Sequence, residues 1–88
     1  EFHIGIHPHA YKHGLTSDEI EHAWRNAFEQ ARRDRADGRV DYLLVGLDQK
    51  GRLIELIARC CGEDQYIIFH AITPPTRKFL LEMGLSGR

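Results

Sequence analysis

Apolar residues recur at Ile20, Ala23, Trp24, Ala27, Phe28 and Ala31. That spacing is one face of a helix with 3.6 residues per turn. The segment is preceded by Thr16-Ser17-Asp18-Glu19, a cap residue with a glutamate three places on, the signature of a capping box. The other face carries His22, Arg25, Asn26, Glu29, Arg32 and Arg33. Glu21–Arg25 and Glu29–Arg33 are well-oriented i, i+4 pairs. The pattern predicts a long amphipathic helix that ends near Ala36, before Asp37-Gly38.

The rest of the chain reads as short extended segments. Residues 3–7 alternate weakly and predict a short edge strand. Pro8 opens a helical turn that Gly14 stops. Residues 40–47, 52–60 and 66–72 are rich in aliphatic and aromatic residues and predict three strands. Asp48-Gln49-Lys50-Gly51 is a four-residue hairpin connection ending in glycine, and Gly62-Glu63-Asp64 makes the next turn. Pro74-Pro75 break the sheet and open a last helix near 75–83, with Phe79, Leu80 and Met83 on its apolar side. The expected fold class is therefore α+β, with a long helix and a C-terminal helix around a three-stranded antiparallel meander. No repeat, linker or low-complexity segment interrupts residues 1–88, which read as a single domain.

Alternation sorts the strand side chains into two faces. With an even-length hairpin, one face carries Leu43, Val45 and Leu47 with Ile54, Leu56, Ala58 and Cys60, then Ile67, Phe69 and Ala71. This face is expected to receive Ile20, Trp24 and Phe28. The other face is mixed: Tyr42, Leu44 and Gly46; Leu53, Glu55, Ile57 and Arg59; Tyr66, Ile68, His70 and Ile72. Register across the second turn sets Glu55 or Ile57 opposite His70, so Glu55, Arg59 and His70 share a face. An acid, a base and a cation in an apolar field read either as a site or as an ion pair under the C-terminal helix.

Composition narrows the classes. A chain of this length buries roughly 60% of its unfolded surface, so its stability margin is thin. The formal charge of -1 gives no global attraction to polyanions, and any such site must be a local cluster. No apolar run approaches the roughly 20 residues that span a bilayer, and the polar, His-rich start predicts no signal peptide. No membrane association is expected. Glu1-Phe2 matches the dipeptide encoded by a common restriction site. Adjacent Cys60 and Cys61 point to opposite faces of a strand, which disfavours a bond between them and suits a reducing cytoplasm.

Six histidines stand out, four of them at positions 3, 7, 9 and 13. They invite a metal reading, but no paired Cys-x-x-Cys accompanies them and Pro8 breaks any helix joining them. Solvated histidines, no metal site and no cofactor are the expectation. Lys12-His13-Gly14 displays a lysine and a histidine on one glycine-terminated turn. RNA cleavage without metal needs a base for the 2′-hydroxyl, an acid for the leaving oxygen and cations for the phosphorane. Histidine titrates in the range for the proton transfers, and lysine or arginine supplies the charge. The alternative is that His13 caps a helix C-terminus. Arg32, Arg33, Arg35 and Arg39 form a basic run, joined later by Arg77, Lys78 and Arg88. Such a run grips phosphates or, diluted by Asp34 and Asp37, forms a solvated helix end.

The order of motifs carries a resemblance. Lys-His-Gly, an aliphatic residue, a helix opening with Ser-Asp-Glu, a Gly-x-x-x-x-Gly-Arg-Leu strand pair, and a strand closing on x-Ala-x run from about residue 9 to 80. This resembles the BrnT family of type II toxins, small ribonucleases with a RelE-like fold. It also resembles a neighbouring group of small proteins that begin with His-Ala, here His9-Ala10. The resemblance implies an RNA-cleaving toxin paired with a cognate antitoxin. Lys12, His13 and Gly14 match the N-terminal motif, Gly46 and Gly51-Arg52 the hairpin, and Ala71 the closing alanine. That alanine is flanked in the family by serine and arginine; here the flanks are His70 and Ile72.

Together these readings set the expectations: a cytoplasmic, metal-independent endoribonuclease, with a non-catalytic interaction module as the alternative. His13, Lys12, His70 and Arg59 are the candidate catalytic residues. Arg77, Lys78 and Arg52 are the candidate substrate-binding residues. RNA, an antitoxin and a second copy of the chain are the expected partners.

Overall fold

The computed structural model describes residues 3–85, so Glu1-Phe2 and Arg88 lie outside it. In chain order the elements are strand β1 (His3–Ile6), a 3-10 turn (Pro8–Tyr11), helix α1 (Ser17–Arg25), strands β2 (Ala27–Asp34), β3 (Val40–Leu47), β4 (Leu53–Gly62) and β5 (Gln65–Ile72), and helix α2 (Arg77–Met83). The strands form one mixed sheet in the order β1-β5-β4-β3-β2. Only β1 and β5 pair in parallel.

This corrects the expected long helix over a three-stranded meander. α1 starts as its capping box dictates: Thr16 Oγ1 accepts from Glu19 N–H at 3.2 Å, and Glu19 Oε1 accepts from Thr16 N–H at 2.8 Å. It stops after nine residues, and the sequence counted as its second half is an edge strand. Asn26 ends the helix by donating its side-chain amide to His22 C=O at 2.8 Å. Ala27 and Ala31 fit either element, because four residues is nearly one helical turn and also two strand periods. A bulge at Phe28 then puts them on opposite faces of the sheet, and Phe28 itself is 55% exposed.

The faces of the meander also differ from expectation. Asp48 N–H donates to Arg52 C=O, so the hairpin turns through the odd-length 49–51, with Gly51 at φ +78°. A change of one residue in the connection swaps every side chain to the other face. Leu44 therefore pairs with Leu56 and Gly46 with Ile54, and these residues, with Ala58, Ile68 and Ala71, meet Ile20 and Ala23 of α1. Gly46 sets the closeness of that packing, since a Cβ there would lie 1.9 Å from Ala23 O.

The opposite face carries Leu43 and Val45, covered by Phe79 of α2. Thr76 caps α2 by accepting from Phe79 N–H at 3.2 Å, and Gly84 closes it at φ +76°. Arg33 of β2 donates twice to Glu82, at 2.7 Å each, and ties α2 across the sheet. Among the described residues no helix is long and apolar enough to cross a membrane.

Candidate functional site

Strand β1 pairs with β5 only as far as Ile68. Past that point the edge of β5 is left open, and the 3-10 turn folds against it. His7 starts the turn, its Nδ1 accepting from His9 N–H at 3.1 Å. Ala10, fully buried, anchors the turn in the core. Gly14, at φ +88°, turns the chain away. This leaves His9, Lys12 and His13 along one rim of a cleft of about 560 Å³, with Ile57, Phe69 and His70 opposite.

His13 and His70 converge, their ring centroids 5.8 Å apart and the rings inclined at 78°. His70 Nε2 lies 2.6 Å from Glu55 Oε2. A carboxylate only accepts, so Nε2 carries the hydrogen and donates it, which leaves Nδ1 of the neutral ring as the proton acceptor. Glu55 is only 3% exposed. Its other oxygen accepts from Thr76 N–H at 2.8 Å and from Thr76 Oγ1 at 3.0 Å. Burial pushes the Glu55 carboxyl up, but the hydrogen bonds from His70 and Thr76 prevail and hold it below the ordinary glutamate value of 4.5. One buried anion thus fixes His70 and the first turn of α2 together.

The arginines are occupied elsewhere. Arg59 donates to Asp41 at 2.8 and 3.3 Å, and its guanidinium lies over the Phe69 ring at 4.8 Å. It borders the cleft through Phe69 rather than entering it. Asp41 is fully buried and also faces Arg35 at 3.3 Å. Burial raises the Asp41 carboxyl, and Arg59 and Arg35 more than reverse that, leaving it below the ordinary aspartate value of 3.8. The basic run is neutralised in the same way: Arg32 by Asp34, Arg33 by Glu82, and Arg39 by Asp37. Arg52 bridges Asp48 at 2.7 Å and Glu19 at 2.9 Å, bracing the hairpin against α1. Arg77 and Lys78 are exposed in the first turn of α2, directly after Thr76.

Of the residues singled out from sequence, the structure brings Lys12, His13 and His70 into one cleft. Arg59 adjoins it, while Arg52 serves the hairpin. Sequence reading missed the part of His9, although its spacing of four from His13 was a usable signal. Glu55 was placed on the right face but given no part in the site, because its partner Thr76 lies beyond the two prolines. Among the described residues no group of three or more His, Cys, Asp or Glu side chains is arranged to hold a metal ion. No family model, curated protein or solved structure matches the chain.

Proposed function

We propose that this cleft cleaves RNA by internal transphosphorylation. His70, its Nε2–H held by Glu55, offers Nδ1 as the base that takes the proton from a 2′-hydroxyl. The 2′-oxygen then forms a bond to phosphorus as the bond to the 5′-oxygen breaks. His13 in its protonated form gives that oxygen its proton. The products are a 2′,3′-cyclic phosphate and a 5′-hydroxyl, with no net change in protons or electrons. Lys12, on the same rim, offsets the charge that builds on the phosphorane. Arg77 and Lys78 extend the positive surface from the start of α2.

The observation that carries this reading is the convergence of two imidazoles and a lysine, with one imidazole oriented by a buried carboxylate. Proton transfer at a positioned pair of this kind contributes about 10²–10⁴-fold for each group. The Lys12-His13-Gly14 motif and its resemblance to BrnT toxins add the setting: a cytoplasmic toxin held in check by an antitoxin. This part of the reading rests on the motif and the cleft, since the sheet differs from the expected architecture.

A second reading has its own support. Arg59, the arginine nearest the cleft, is already committed to Asp41, and Ile72 stands where the family carries arginine. Both suit a non-catalytic interaction module. Purified wild type incubated with RNA in the presence of a chelator separates the two. Cleavage to cyclic-phosphate ends, lost in His13→Ala and His70→Ala, is the expected result. Intact RNA with a folded wild type, and normal growth of a bacterial host expressing it, assigns the chain to the non-catalytic module.

A further inference from the structure

Helix α1 covers only part of its face of the sheet. It ends at Arg25, and beyond it Tyr42 of β3 and Tyr66 of β5 stand on either side of the small Ala58 of β4, which pairs with Tyr42. The two phenol rings are 5.9 Å apart at 72°. Trp24, from the last turn of α1, leans on Tyr66 at 5.7 Å and 47°. The three rings are only partly buried. They surround an open cleft of about 660 Å³ whose floor includes Leu44.

The rim is polar. Gln30 lines the cleft from β2, and among the described residues no hydrogen bond is recorded for its amide. Arg25 lines it too, with a guanidinium 73% exposed and held only by Glu21 at 3.4 Å. Arg32 lies opposite Tyr42 in the register and so points to this same face. Residues that only closed the core would bury their rings and leave no such space. The volume lies within the roughly 300–1,000 Å³ of small-molecule sites, which combine apolar walls with a few polar groups.

We propose that this cleft binds a nucleotide unit, its base stacked among Trp24 and Tyr66, its base edge on the Gln30 amide and its phosphate toward Arg25 and Arg32. Aromatic faces bind any base by stacking, an amide both donates to and accepts from a base edge, and guanidinium groups match phosphate. The cleft opens on the sheet face opposite His70, so the inference is independent of the RNA-cleavage reading.

Trp24 is the sole tryptophan, and its fluorescence reports directly on the cleft. The full chain is titrated with the four nucleoside monophosphates and, separately, with a short single-stranded oligonucleotide whose 2′-hydroxyls are blocked. Saturable quenching by a monophosphate, with a Kd between about 10 µM and 1 mM as suits a small open site, supports a free nucleotide as ligand. Quenching by the oligonucleotide alone supports a nucleotide unit within a chain. Tyr66→Leu and Gln30→Ala, checked for folding by circular dichroism, weaken binding by about ten-fold, the scale of one lost stacking or pairing contact. His70→Ala leaves it unchanged. Quenching by neither probe, or quenching abolished by His70→Ala and retained in Tyr66→Leu, overturns the proposal.

Discussion

The two faces of the sheet are buried by different physics. The α1 face is closed by hydrocarbon: Ile20, Ile54, Leu56, Ala58 and Ile68 are fully buried and need only shape and volume. The α2 face buries two carboxylates, Asp41 and Glu55, and each survives there because basic or hydrogen-bonding partners surround it. The first face resists water by packing. The second resists it by electrostatic pairing, and that pairing fixes the position of His70. A histidine on the first face would be a packing defect, whereas on the second it is oriented.

Substitutions sharpen this contrast, starting with the largest effect. Gly46→Ala drives a methyl group into the Ala23 carbonyl, and we expect a loss of more than about 3 kcal/mol in chemical denaturation, since backbone atoms cannot yield as a side chain does. Leu56→Ala opens a cavity on the same face and costs about 3 kcal/mol. Asp41→Ala, on the other face, leaves Arg59 and Arg35 without their shared partner. Those guanidiniums reach water, so the expected loss is smaller, about 1–2 kcal/mol. If Asp41→Ala proves as costly as Leu56→Ala, the division between the faces is wrong.

Acid sharpens it further. Glu55 and Asp41 both have carboxyls held below their ordinary values of 4.5 and 3.8. Below those values the unfolded chain binds more protons than the folded one, so their stabilisation is complete above this range and is lost as pH falls through it. Thermal melting between pH 6 and pH 3, written here as rough bounds on the carboxylate range, is expected to show a shallower acid slope in Glu55→Gln than in the wild type. Arg25→Ala, at an exposed pair with Glu21, is expected to leave melting unchanged.

How much of this was legible follows from where two periods coincide. The capping box at Thr16–Glu19 was readable because its signature is local, and the shared face of Glu55 and His70 because alternation fixed it. The end of α1 was not readable. Ala27 and Ala31 satisfy both helical and strand spacing, and nothing in Arg25-Asn26-Ala27 announces a switch; the decision comes from β3, whose edge offers β2 a full ladder of hydrogen bonds. The faces of β3 and β4 turned on whether Asp48 belongs to the strand or to the turn, a single residue. In the cleft, Lys12 and His13 were visible as a motif. The link from Glu55 to Thr76 was not, since it is made by the tertiary course of the chain.

The parallel pairing of β1 with β5 has a consequence for assembly. It joins residue 3 to residue 65, nearly opposite ends of the described chain, and the closure entropy of so long a loop makes it a late event. The 3-10 turn that carries His9, Lys12 and His13 docks only on a β5 already in the sheet. During synthesis, then, His13 emerges early and waits without a partner until His70 has been made and threaded into place. A chain interrupted anywhere before β5 has half of the cleft and none of its geometry, so the cleft exists only in a chain whose sheet is complete.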